Sequence, residues 1–414
     1  MTISEDLSWR GQIKDKTFDN LNWLDDPKTF YLGVDCSSDS LTIGNLAILM
    51  VARRLAKAGW KAILLVGGAT SLIGDPGGKD EERELKSREE IVKNVAGVQK
   101  QVKQIFDGIE FVAVDNYDWF KNIGYLDFLR EVGKNFSMTE LMQRDFIVSR
   151  MGDGGNGISY AEFSYSLIQG YDFWHLFKNH GAVLQIGGSD QWGNMLSGVL
   201  LVRKKENAQA HALSTPLIID KSTGKKFGKS ENGAVWLDPN KTSVYQFYQF
   251  WLNTTDKAAE EHLKIFTEIS KEEVESIIEQ FNVNKSERLA QKTLAYEVTK
   301  IVHGNQRADS IKKVTEVLFG GEQYTSLDQA DFEELKGELP LVEAENKIDI
   351  VEALNRSGLA SSNSEARRFL GEGGIYINGQ QIPLDSTEID PNQSINGYVI
   401  LRRGKNNQAL IHFR

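Results

Sequence analysis

Apolar residues recur in short continuous runs near the amino end of the chain and at helical spacing further along it. Residues 31–36 (Tyr-Leu-Gly-Val-Asp-Cys) and 61–67 (Lys-Ala-Ile-Leu-Leu-Val-Gly) have the length and bounding turn residues of buried strands. Between them, residues 46–54 (Leu-Ala-Ile-Leu-Met-Val-Ala-Arg-Arg) predict a helix. Strand, helix, strand is a βαβ unit, and it predicts a parallel sheet covered by helices. Residues 88–106 carry a helical pattern with mixed charges, and residues 111–114 and 182–186 predict further strands. Residues 126–130 and 136–150 predict a helical insertion between those strands, and the glycine-rich residues 151–157 a flexible break. From about 240 to 320 the pattern is helical, including an aromatic stretch at 245–251 and a capping-box start at Ser270-Lys-Glu-Glu. Residues 320–345 are acidic with few apolar positions, which predicts a linker or lightly packed connector. A compact module follows from Ile348: two short helices, a strand and hairpin turn at 374–379, and a closing strand at 397–404.

Composition narrows the class. With 414 residues, the chain is long enough for two or three domains. Its 40% hydrophobic and 26% charged fractions are those of a globular protein. No apolar run approaches the roughly 20 residues of a membrane span, and the acidic start Met-Thr-Ile-Ser-Glu-Asp has no signal-peptide profile. One cysteine excludes an intrachain disulfide framework and suits a reducing compartment. A cytoplasmic location is the expectation. The net charge of −10 argues against indiscriminate polyanion binding. A nucleic acid would have to meet local basic clusters, such as Arg203-Lys-Lys205, Arg367-Arg368 and Arg402-Arg-Gly-Lys405. Each can also be a solvated face. The six histidines and one cysteine show no ligand spacing, so no protein-bound metal is expected.

Two separated segments carry the chemistry. The first predicted strand runs through Thr42-Ile-Gly-Asn45 into a helix, whose free backbone N–H groups suit an anion. Far along the chain, Gly224-Lys-Lys-Phe-Gly-Lys-Ser230 offers ammonium groups on a glycine-loosened loop. Between them lies Leu184-Gln-Ile-Gly-Gly-Ser-Asp-Gln-Trp-Gly-Asn194. Each alone is weak evidence for a polyphosphate site; their order in one chain is not.

Together with Val66-Gly-Gly-Ala-Thr-Ser-Leu-Ile-Gly-Asp-Pro76, Asn116-Tyr-Asp-Trp119, residues 162–172 and Val235-Trp-Leu-Asp-Pro239, these segments resemble the bacterial-type tyrosyl-tRNA synthetases, class I aminoacyl-tRNA synthetases, over essentially the whole chain. The resemblance implies a Rossmann-like doubly wound parallel sheet that binds ATP at the carboxyl ends of its strands, then a helical domain and a small C-terminal α+β RNA-binding domain. The boundaries it suggests are a catalytic domain at 1–223 with a helical insertion (about 120–180) at a dimer interface, a mobile lysine loop and helical domain at 224–320, an acidic linker at 321–347, and an RNA-binding domain at 348–414. It implies activation of L-tyrosine by ATP, with Mg2+ as the companion of ATP, and transfer of the tyrosyl group to tRNA(Tyr) by a homodimer. The Tyr160 to Phe163 region resembles the subunit contact.

By the same resemblance Lys226, Lys229 and Ser230 stabilise the leaving pyrophosphate, with Lys79 and Arg83 within reach of phosphates or simply solvated. The family usually reads His-Ile-Gly-His where this chain has Thr42-Ile-Gly-Asn45. Gly33 and Gly44 match adenine-side positions, and the Asn45 amide can donate as an imidazole does. Thr42 is the larger change; a lost donor in a preorganised site costs about 2.7–4 kcal/mol, and less is expected here because the hydroxyls of Thr42, Ser37 and Ser38 can still donate. Gly188 and Asp190 match nucleotide contacts. Tyr31 and Asp172 match residues aimed at the phenolic hydroxyl, where a hydrogen-bonding site rejects the analogue lacking it, a rule of which this family is itself the known instance. Tyr165, Gln169 and Asp172, at spacings of four and three, share one helix face. Tyr165, Gln169 and Asp75 match the group holding the substrate ammonium, although Asp75 also suits a helix cap. Asp35, Thr70 and Asn116 match second-tier positions, and Gln191 one beside the substrate carboxylate.

The C-terminal module resembles a small RNA-binding domain, which implies tRNA contacts at Arg367, Arg368, Arg402, Arg403 and Lys405, with Arg203 and Lys204 a further cluster. A packing or dimer accessory role is the alternative for the module. For the whole chain the alternative is a paralogue that binds tyrosine or RNA without activating an amino acid.

Overall fold

The computed structural model describes residues 1–75, 85–152, 156–219, 227–230, 233–320, 323–404 and 407–414, with the side chains of 145, 146, 229, 230 and 320 set aside. It divides into two compact units: residues 1–242 with 253–294, and residues 243–252 with 295–414.

In the first unit five parallel strands, β1 (Thr29–Val34), β2 (Lys61–Val66), β3 (Phe111–Asp115), β4 (Leu184–Gly188) and β5 (His211–Thr215), lie in the order 3-2-1-4-5. Strands β1, β2 and β4 read as near-continuous apolar runs because helices cover both faces. Tyr31 stands opposite Ile63 on one side and Gln185 on the other. The strand order reverses between β1 and β4, so a crevice opens at their carboxyl ends. Helix α1 (Ile43–Lys57) joins β1 to β2, and α2 (Arg88–Ile105) precedes β3. Helix α3 (Tyr160–His180) starts on a Ser159–Glu162 capping box and stops at Gly181, whose φ of 70° is left-handed. It packs closely on α4 (Trp192–Glu206), where any Cβ at Gly198 would lie 2.5 Å from that of Phe173. Strand β5 was not anticipated, its Ala-Leu-Ser-Thr being too mixed to read as an apolar run. The glycine-rich break at 151–157 falls partly outside the described residues.

The second unit centres on a five-stranded sheet ordered Gln380–Gln381, Ile375–Ile377, Tyr398–Arg403, Asn407–Phe413, Leu341–Ala344. Alternate side chains serve opposite faces. Val399, Leu401 and Ile411 meet the helices Ile350–Arg356 and Asn363–Gly371, whereas Tyr398, Ile400 and Leu410 meet Phe332, Leu335 and Val314. Two expectations need correction here. The acidic stretch read as a linker holds the helix Gln329–Leu335 and the strand Leu341–Ala344, which pairs in parallel with Asn407–Phe413. Four of its apolar residues, Leu327, Phe332, Leu335 and Val342, are buried while Leu341 is exposed, so spacing rather than number decided the outcome. The helical stretch expected as one domain from 224 to 320 is also divided, because the aromatic helix Val244–Leu252 buries Phe247 and Trp251 within the second unit.

Candidate active site

At the carboxyl ends of β1 and β4 lies a cavity of about 660 Å³. One end is lined by Tyr31, Thr70, Asp75, Tyr165, Gln169, Asp172 and Gln191, the other by Gly33, Thr42, Gly44, Asn45, Gly188 and Asp190. Asp35 borders it, accepting from the Ser71 hydroxyl at 3.2 Å. The expected residues from β1, α1, α3 and the β4–α4 turn thus meet in one crevice.

The first end is a buried polar nest. Asp172, 2% exposed on α3, accepts from Trp119 Nε1 at 2.9 Å and from Asn116 Nδ2 at 3.1 Å. Asn116 Nδ2 also donates to Thr70 Oγ1 at 3.1 Å, and its Oδ1 accepts from the Ala69 N–H at 2.7 Å, which fixes the orientation of the amide. Burial pushes the Asp172 carboxyl up to about 8 against the lowering effect of those two donors. Tyr31, 1% exposed, has a buried hydroxyl with no hydrogen-bond partner among the described residues. Burial raises its pKa well above the usual phenol value, with Asp172 and Tyr165 adding to the effect. A buried orphan hydroxyl facing a cavity is costly unless something fills that cavity. Beside this nest Gln191 Nε2 donates to Asp75, and Asn194 Nδ2 donates to Gln191 Oε1 at 3.2 Å.

The second end is built from backbone. A Cβ at Gly33 would meet nothing within 4 Å, and one at Gly44 would come within 3.5 Å of the Phe227 carbonyl. Two distant segments are stitched together here: Ile43 N donates to Val235 O (3.1 Å), Leu237 N to Leu41 O (2.8 Å), and Val235 N to Gly228 O (2.9 Å). Gly228, at φ 109°, lies so close to the start of α1 that a Cβ would stand 3.1 Å from Ile43 Cγ1 and 3.3 Å from Gly44 N. The lysine segment and the helix start therefore converge. Lys226, with Lys79 and Arg83, lies outside the described residues, and Lys229 and Ser230 are described as backbone alone, paired with Gly233–Ala234.

Thr42 departs from expectation. Asn45 Oδ1 accepts from both the Thr42 N–H and the Thr42 hydroxyl, each at 3.0 Å. The N–H donor requires the amide oxygen to face it, so the hydroxyl donates to Asn45 instead of into the crevice. Sequence reading missed Trp119, Gln185 and Phe227. Nothing in a lone Trp, Gln or Phe marks them, although all three fall inside the quoted motifs.

Of the basic clusters, Arg203 is exposed near the end of α4 and Lys204 donates to the Asn135 carbonyl at 2.6 Å. In the second unit Arg367 and Arg368 are exposed, Arg402 stacks on Tyr376 at 4.0 Å, and Arg403 lies over Phe369 at 4.8 Å. Lys405 is outside the described residues. Among the described residues no group of three His, Cys, Asp or Glu could hold a metal ion, and no helix is long and apolar enough to cross a membrane.

A crevice at the switch point of a 3-2-1-4-5 sheet, with a polar nest at one end and a helix start at the other, is the architecture of a nucleotide-dependent ligase of the class I synthetase type. The family of class I tRNA synthetases (W and Y) matches residues 25–320, and the tyrosine–tRNA ligase SYY-like C-terminal domain matches residues 331–411. Curated tyrosine–tRNA ligases from Lactococcus lactis subsp. cremoris and Flavobacterium johnsoniae are each 42% identical, over 100% and 99% of both chains respectively. Among solved structures, a C-terminally truncated mitochondrial tyrosyl-tRNA synthetase of Aspergillus nidulans is 31% identical with a TM-score of 0.69, covering 77% of this chain and 94% of that one. The chain belongs to the tyrosine–tRNA ligases.

Proposed function

We infer that this chain activates L-tyrosine with ATP and transfers the tyrosyl group to the 3′ end of tRNA(Tyr). The observation that carries this reading is the orphan Tyr31 hydroxyl beside an Asp172 held by Asn116 and Trp119. Tyr31, kept protonated by its raised pKa, donates to the substrate phenol oxygen. Asp172, whose two oxygens already accept from Asn116 and Trp119, accepts a further hydrogen bond from the phenol O–H. Asp75, Tyr165 and Gln169 hold the ammonium, and Gln191 lies beside the carboxylate.

The tyrosine carboxylate oxygen forms a bond to the α-phosphorus as the bond from that phosphorus to the β-phosphate bridging oxygen breaks, and pyrophosphate leaves with its electron pair. No covalent enzyme intermediate is needed, so alignment and charge stabilisation carry the rate. Gly33, Gly44, Gly188 and Asp190 seat the nucleoside; Asn45, oriented by Thr42, faces the crevice; Lys226, Lys229 and Ser230, with Lys79 and Arg83, take the leaving charge. Mg2+, bound with ATP, neutralises phosphate charge. A ribose hydroxyl of the tRNA then attacks the adenylate carbonyl and displaces AMP.

The exposed apolar side chains of the insertion, among them Tyr125, Leu126, Met138, Val148 and Tyr160, support a homodimer formed through that face. The exposed Arg367 and Arg368, with Arg402, Arg403 and Lys405, support tRNA contact by the C-terminal domain, and Arg203 and Lys204 support contact by the catalytic domain. Tyrosine-dependent ATP–pyrophosphate exchange tests the reading, followed by charging of tRNA(Tyr). Folded protein that binds tyrosine but shows no exchange would overturn it in favour of the non-activating paralogue.

A further inference from the structure

Three sets of contacts fix Phe227, within the lysine segment. Its N–H donates to Ile218 O at 2.9 Å. Its ring packs on His262 at 4.5 Å and Phe266 at 5.7 Å between centroids, and those two rings meet edge-on at 5.7 Å. Its carbonyl and the adjoining Gly228 lie against the start of α1, close enough that a Cβ on Gly44 or Gly228 would touch the other segment.

The socket is itself anchored. His262 and Phe266 are buried on the helix Asp256–Phe266. Arg54, near the far end of α1, donates through Nη2 to the carbonyls of Lys264 (3.2 Å), Ile265 (3.0 Å) and Thr267 at the carboxyl end of that helix. Arg10 adds donors to Lys264 O (2.7 Å) and Ile269 O (2.8 Å), and Arg53 pairs with Glu268 at 2.9 Å. Cations at a helix carboxyl end also favour its dipole. One helix, α1, therefore touches the loop at its start and grips the loop's socket near its end. The two contacts close a ring: α1 start, Gly228, Phe227, His262 and Phe266, Arg54, α1 end.

We propose that Phe227, seated between His262 and Phe266, is a positioning residue that sets where Lys229 stands relative to the helix start. This rests on the reading of the lysine segment as the group that stabilises leaving pyrophosphate. Phe227 acts through the backbone that follows it. Without the ring the segment keeps its charges but loses its register, so the loss falls on the chemical step and not on tyrosine binding.

The test uses the full chain with Phe227→Ala, Phe227→Leu, His262→Ala and His262→Phe. Pyrophosphate exchange gives kcat and the KM for ATP and for tyrosine, and tryptophan fluorescence gives tyrosine affinity. Phe227→Ala should lower the exchange kcat by roughly 10- to 100-fold, the scale of an ångström-level misplacement, with tyrosine affinity within twofold of the parent. Phe227→Leu should restore most of that loss, His262→Phe should stay near the parent, and His262→Ala should reproduce part of it. Cleavage by trypsin after Lys229 should quicken several-fold in Phe227→Ala. A kcat within threefold of the parent, an equal loss in tyrosine affinity, or unchanged cleavage overturns the proposal. Absence of exchange in the parent itself condemns the underlying enzymatic reading, and the cleavage comparison then still decides whether Phe227 anchors the segment.

Discussion

Replacing Asp172 by Asn changes one atom in the polar nest, and the consequence is calculable. The free site holds a carboxyl whose pKa is pushed up to about 8 by burial. Because Asn116 and Trp119 already donate to its two oxygens, a substrate phenol is best accepted by the ionised form. Tyrosine binding below pH 8 must then release a proton from Asp172. Each unit below that value costs about 1.4 kcal/mol, so at pH 6 tyrosine binds about 100-fold more weakly than on the plateau above pH 8. His175, stacked on Trp119 at 4.3 Å, stays neutral across most of this window because burial lowers its pKa. Asn cannot titrate, so Asp172→Asn flattens the profile. It also places an N–H against an N–H, since Asn116 is held by the Ala69 N–H and cannot turn its oxygen round. That mismatch and the lost phenol acceptor each cost about 1–3 kcal/mol, and most of the preference for tyrosine over phenylalanine goes with them. Equilibrium fluorescence titration from pH 6 to 8.5 reads the first effect; exchange kcat/KM for the two amino acids reads the second. The sign for folding is fixed too. The folded state keeps a proton that the unfolded chain releases near pH 4, so stability from this group is present below pH 4 and lost as pH rises to 8, with a limiting slope of about 1.4 kcal/mol per unit. The Tm of Asp172→Asn should therefore gain on the parent as pH increases. A flat parent binding profile, or an unchanged preference for tyrosine in the variant, refutes the reasoning.

Gly228→Ala forces a Cβ into a left-handed backbone at about 1–2 kcal/mol and against Gly44; exchange kcat should fall at least about tenfold, in line with loop misplacement, while tyrosine affinity stays constant. Thr42→Val removes the hydroxyl that orients Asn45 and should lower exchange kcat by roughly fivefold, the worth of one modest hydrogen bond, whereas Thr42→Ser should keep the parent rate. Cys36 is fully buried with its thiol pushed up to about 12, so thiol titration at pH 8 should find it unreactive in folded protein and fully reactive after denaturation. Leu126→Asp, on the exposed face of the insertion, should shift size-exclusion elution with light scattering from dimer to monomer.

The strands β1, β2 and β4 were legible because continuous apolar runs are a local signal, and Tyr165, Gln169 and Asp172 because a polar stripe at spacings of four and three is another; Tyr31, on a strand, was reached only through the family resemblance. What was not legible depends on partners far away in the chain. Strand Leu341–Ala344 is made by Asn407–Phe413, and β5 by β4; neither segment announces itself alone. The direction of the Thr42 hydroxyl is set by a competition between solvent, ligand and the Asn45 oxygen that no spacing rule decides. Trp119 matters through one indole N–H whose target lies on a different helix. Phe227 reads as a filler between lysines until His262 and Phe266 are seen beneath it.

Strand Asn407–Phe413 lies between Tyr398–Arg403 and Leu341–Ala344, so the sheet of the second unit lacks an interior member until that strand has left the ribosome. During synthesis Leu341–Ala344 must wait as an unmatched edge, since its parallel neighbour emerges after every other strand of this sheet. Assembly of this unit is therefore dominated by a long-range closure, which is slow, and a chain that stops short of Asn407–Phe413 carries an open, sticky seam.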